Sequence, residues 1–121
     1  MNNGIHDGKL IPWTNTTGTD VVSGQIVPVG NILAVATGDI ANGASGTVMT
    51  RYAVKAPKVS AAVIGQGLMM TWDVSAGAFD DDQATPAAGD ITGAAAVAMT
   101  AAGDGATTVE VILTGSPGTV N

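Results

Sequence analysis

Runs of Val, Ile and Thr, each cut short by a glycine, restrict this chain to brief extended segments. The runs cover residues 25–29, 32–37, 47–50, 52–55, 68–73 and 107–114, with Gly24, Gly30, Gly38, Gly43, Gly46, Gly65, Gly67 and Gly115 at or near their ends. β-branched residues fit a pleated, half-buried surface, and glycine supplies the backbone freedom that turns need. Many short strands at this spacing predict an all-β fold, a small β-sandwich or barrel. Within 107–114, Glu110 alternates with Val109, Val111 and Leu113, so the three apolar residues are expected on one inner face.

Two stretches carry mixed signals. Residues 94–102 are mostly alanine, the best helix former, but they lie between Gly93 and Gly103. So short a segment does not hold a helix without strong tertiary support, and 91–100 is read as a strand with an irregularity at Gly93. Residues 57–64 are read as a short helical turn with Pro57 at its first position, the one helix the fold is allowed. The acidic stretch 80–90 reads as an exposed loop.

At 121 residues the chain fits one domain, with no room for a second core of normal size. Residues 1–19 are read as an extended N-terminal arm and 20–121 as a single β domain. Trp13, Tyr52, Trp72 and Phe79 are the only aromatic residues, and Trp72 and Phe79 are expected in the core. The rest of the interior must be aliphatic and rich in alanine, which buries little area per residue. A core of small side chains without cysteine favours further burial between copies of the chain.

The same composition removes most chemistry. Catalysis needs a nucleophile or a general base poised near neutral pH, and this chain has one histidine, His6, close to its start, and no cysteine. No catalytic residue is assigned, and the chain is not expected to be an enzyme. Asp80, Asp81 and Asp82 are the one dense carboxylate cluster, but Gln83, Ala84, Thr85 and Pro86 follow where a calcium loop needs spaced oxygen ligands. A solvated loop is favoured and no metal site is assigned. Gly65-Gln66-Gly67 lacks the third glycine of a dinucleotide loop. Gly4 to Lys9 is one residue short of a phosphate loop, with Leu10 where Ser or Thr belongs. No cofactor and no small-molecule substrate are expected.

A net charge of −6 disfavours nucleic acid and anionic membrane surfaces, both of which attract Lys and Arg. The first residues have neither the basic start nor the apolar stretch of a signal peptide, so Asn15-Thr16-Thr17 is not read as a glycosylated site. Arg51, Lys55 and Lys58 hold three of the four basic charges. They are read either as a stripe that meets acidic groups on a neighbour or as charges that keep an edge strand from aggregating. The arm carries Ile5, Leu10, Ile11 and Trp13 and is read either as a strap for a partner or as a strand pinned to its own domain.

From Val22 onward the sequence resembles the capsid decoration, or cement, proteins of tailed bacteriophages. The matching pieces are Ser23-Gly24-Gln25-Ile26-Val27-Pro28-Val29-Gly30, Leu33-Ala34-Val35-Ala36 and Asp39-Ile40-Ala41-Asn42-Gly43. Next come Lys55-Ala56-Pro57-Lys58, Gly67-Leu68-Met69-Met70-Thr71-Trp72-Asp73, Ile91-Thr92-Gly93-Ala94-Ala95 and Val109-Glu110-Val111-Ile112-Leu113. The Pro-Lys element followed by Gly and then Trp-Asp is the most specific part. The resemblance implies a small, mainly β homotrimer on the outer capsid surface, made in the bacterial host cytoplasm. It would clamp neighbouring major capsid proteins after shell expansion. On that reading Ile5, Leu10 and Trp13 are the expected capsid contacts, and Arg51, Lys55 and Lys58 supply subunit or capsid electrostatics. The alternative is another β-structured virion or surface-assembly module, such as a spike or tail component.

Overall fold

The computed structural model describes residues 9–82, 85–93 and 95–121, and among these the regular structure is all β. Three antiparallel sheets form. The first is ordered β1-β4-β3-β2, from Leu10–Thr14 (β1), Ile26–Val29 (β2), Ile32–Ala36 (β3) and Ser45–Met49 (β4). The second is β5-β10-β9, from Arg51–Pro57 (β5), Ala96–Ala98 (β9) and Thr108–Thr114 (β10). The third is β11-β8-β6-β7, from Thr71–Asp73 (β6), Ala78–Asp80 (β7), Ile91–Thr92 (β8) and Thr119–Val120 (β11). The architecture is consistent with a small β-sandwich.

Strand patterning follows from how many faces each strand buries. β10 alternates as its sequence requires: Val109, Val111 and Leu113 are buried while Thr108, Glu110 and Ile112 are exposed. β2 and β3 do not alternate, because both of their faces are covered. Ile26, Leu33 and Val35 enter the main core, which Phe79, Trp72, Met70, Ile91, Val109, Val111 and Leu113 complete. Val27, Ala34 and Ala36 point the other way into a second, smaller core with Val21, Ile40 and Val48. An unbroken apolar run such as Ile32–Ala36 is the signature of a strand buried on both sides. Trp72 and Phe79 do fill the core, edge to face with ring centroids 4.9 Å apart.

The single strand expected over 91–100 is two short ones in different sheets, split near Gly93, whose φ of +96° strongly favours glycine. β8 ends at Thr92 and β9 begins at Ala96. Ala95, Ala96 and Ala98 are buried in the main core. A Cβ on Gly118 would lie 2.5 Å from the Thr92 carbonyl oxygen, so glycine lets the C-terminal segment reach β8.

The structure corrects three further expectations. Residues 57–64 form no helix: Pro57 ends β5 opposite Thr108, Lys58 bridges Phe79, and the Ala62 N–H to Val59 carbonyl bond (3.0 Å) closes a single turn. Pairing with β10 and β7 outweighs Pro57's preference for a helix start. The stretch 80–90 is not simply an exposed loop, since Asp80 closes β7 and Asp90 is buried. The Asp90 carboxylate accepts the Val74 N–H at 3.2 Å and the Ala87 N–H at 3.0 Å, which binds two turns together. The predicted strand 68–73 shrinks to Thr71–Asp73, preceded by an isolated bridge from Met69 to Val97.

Asn15 holds together the layer over the second core. It is fully buried, and its amide donates to the Thr19 carbonyl (2.8 Å) and the Ile40 carbonyl (2.9 Å). Its side-chain oxygen accepts the Thr17 N–H at 3.0 Å and the Thr17 hydroxyl at 2.7 Å. Asn15→Ala should cost about 1–3 kcal/mol by stranding those partners. Urea unfolding would show this as a lower midpoint at unchanged slope.

Candidate functional site

Because β1 places alternate residues on opposite faces, residues separated by an odd number of positions diverge. Leu10 and Trp13 differ by three, and the structure separates them. Leu10 projects outward and is 45% exposed. Trp13 turns inward, half-buried, and packs with Ile11 on the second core. β1 is held by full pairing with β4, from Leu10 opposite Met49 to Thr14 opposite Ser45. Residues 10–14 are therefore a strand of the first sheet. Ile5, the third expected capsid contact, lies outside the described residues.

The strand's entry point is fastened too. The Lys9 carbonyl accepts the Thr50 N–H at 2.7 Å and the Thr50 hydroxyl at 3.2 Å. The Lys9 ammonium stands 5.7 Å from the Tyr52 ring centroid, within range of a cation–π contact.

Parity also sorts the basic residues. Arg51 and Lys55 share the outward face of β5, both exposed, with Ala53 between them. In register, Lys55 faces Glu110 and Arg51 faces Thr114 on β10. Lys58 does not join them. It is only 4% exposed, and its ammonium donates to the carbonyls of Val59 (2.7 Å) and Ser60 (3.2 Å). The expected three-residue stripe is thus a pair on the surface and one buried lysine stapling a turn. The spacing of three between Lys55 and Lys58 was the available signal.

Two open grooves, of about 420 and 310 Å³, flank the turn at Ser23 and Gly24. Val22, Ile26, Pro57 and Trp72 line the first, and Val35, Met49, Tyr52 and Val54 the second. Among the described residues no Asp, Glu, His, Lys or Arg lines either one, and what these contribute is shape and apolar contact. Among the described residues no three His, Asp or Glu side chains converge as a metal-binding set. The acidic cluster splits: Asp80 belongs to β7, while Asp81 and Asp82 are exposed beyond it. Partial burial, followed by the charge of Asp80, raises the Asp81 carboxyl above its ordinary value. Asp73 is shifted the other way, lowered first by the Ser75 hydroxyl and then by the Ala76 N–H as it caps the β6–β7 turn.

What this surface offers is strands and edges with exposed apolar side chains: Leu10 on β1, Tyr52 on β5, Ile112 on β10 and Met69 beside β9. A search of the curated proteins found no match. Comparison with protein families matches residues 5–113 to the phage cement proteins, starting well before Val22 and taking in the whole of β1. With nearly its full length covered, the chain belongs to the phage cement protein family.

Proposed function

We propose that this chain binds the outside of an assembled phage head as a trimer and stabilises the expanded shell by tying neighbouring major capsid proteins together. The observation that carries this reading is the family match over residues 5–113. Cement proteins are structural components of the virion, and the role proposed here needs only surface. A ligand that binds one state of a shell and not the other stabilises that state by mass action. Contacts that bridge neighbours also act at high effective concentration, so many modest interfaces add up. Ile5 and Leu10 contact the capsid, and Trp13 holds the strand from which Leu10 projects. The chain is made in the host cytoplasm and ends on the outer capsid surface. No nucleic acid, membrane or small-molecule substrate is involved.

Co-sedimentation with phage shells before and after expansion tests this directly. The purified chain should pellet with expanded shells and stay in the supernatant with unexpanded ones. Equal behaviour toward both, or no pelleting with either, would leave a spike or tail component as the better reading.

A further inference from the structure

One cross-strand row on the outward face of the second sheet is apolar from edge to edge. Register sets Ala53 opposite Ile112 and Ile112 opposite Val97, and Val97 bridges Met69. Directly opposed side chains in antiparallel strands have Cβ atoms about 4.5–5.5 Å apart. The four residues therefore form one row running from β5 across β10 and β9 to the Met69 bridge. Ile112 is 42% and Met69 45% exposed, whereas the inner-face residues of β10 are fully buried. One step along the strands to either side come Lys55 with Glu110 and Arg51 with Thr114. Both cations thus sit on β5, at one end of the apolar row, on a chain whose net charge is −6.

The complement to that basic edge is present on the chain itself. β7 lies beside the end of β5, where Lys58 bridges Phe79, and Asp81 and Asp82 follow it as adjacent exposed carboxylates. Packed on itself about a two-fold axis along the strands, this face sets Glu110 against Glu110, and about one across them it sets Lys55 against Arg51. A three-membered ring instead joins two different patches of each copy, and these patches have opposite charge.

We propose that this sheet face is where copies of the chain meet: Arg51 and Lys55 of one copy face Asp81 and Asp82 of the next, and the row Ala53, Ile112, Val97 and Met69 is closed off from water. This deepens the trimer reading above and rests on it.

Light scattering on the full chain over a range of concentrations provides the test. The unaltered protein should be a trimer. Ile112→Glu should weaken association roughly 30-fold or more, as loss of a central apolar anchor does. Circular dichroism should stay native, because the side chain is exposed. Arg51→Glu with Lys55→Glu should also weaken association, and adding Asp81→Lys with Asp82→Lys should restore it. A full-strength trimer in natively folded Ile112→Glu overturns the assignment but leaves the trimer reading intact. So does failure of the charge exchange to restore assembly, and so does loss of shell binding without loss of the trimer. A monomeric unaltered protein defeats the trimer reading itself.

Discussion

Phe79→Ala should destabilise the chain by about 3–5 kcal/mol, the range for truncating a fully buried aromatic side chain. Phe79 has no exposed surface and is the largest completely buried side chain among the described residues. Its ring packs edge to face against Trp72 at 4.9 Å, and its carbonyl accepts the Val59 N–H at 2.9 Å, so it joins the third sheet to the segment after β5. Ala56, Ala62, Ala95, Ala96, Ala98 and Ala102 share this core and have no rotamers with which to refill the space. Most of the cavity should therefore persist. Against a total stability of about 5–15 kcal/mol for a typical domain, this is a large fraction. Thermal unfolding should fall by roughly 10–20 °C. A drop of only a few degrees would show that the core collapses onto the gap, and that the alanine-lined packing is less rigid than described.

Trp13→Ala and Leu10→Asp should separate holding β1 in place from using it. Trp13 is half-buried on the second core, with Val21, Val27, Ala34, Ala36, Ile40 and Val48. Its truncation should cost about 2–3 kcal/mol, somewhat less than for a fully buried tryptophan. It should also lower shell binding, because β1 loses its inward anchor. Leu10 is 45% exposed and points away from that core, so Leu10→Asp should change stability by no more than about 0.5 kcal/mol. Its effect on shell binding should nonetheless be large if Leu10 contacts the capsid. Denaturant titration and shell co-sedimentation on the two variants read the two quantities apart. If Leu10→Asp binds shells at full strength, the capsid contact does not run through β1.

Much of the fold was legible because it depends on local signals. Glycine-bounded β-branched runs located β2, β3, β4, β5 and β10 to within about two residues, and the alternation in β10 identified its inner face. β7 and β11 were missed, being only three and two residues long. Strands that short are set by the partners that accept them, Thr71–Asp73 for one and Ile91–Thr92 for the other. The placement of the candidate contact residues was half legible. Charge content marked out Arg51, Lys55 and Lys58 together, but period-two geometry put Lys58 inside. Leu10 and Trp13 diverged for the same reason.

Short glycine-cut runs of β-branched residues determined by themselves that this would be a β protein. That much follows because β propensity and turn chemistry are properties of residues taken a few at a time. Which side of each strand meets water was settled only by the assembled sheets. Asp90 and Lys58, charged and expected outside, are buried because turns folded over them and supplied partners for their carboxylate and ammonium. The exposed apolar row on β5, β10 and β9 likewise exists only once residues distant in the chain are set side by side by sheet register. Contacts between such residues are not encoded in any one segment.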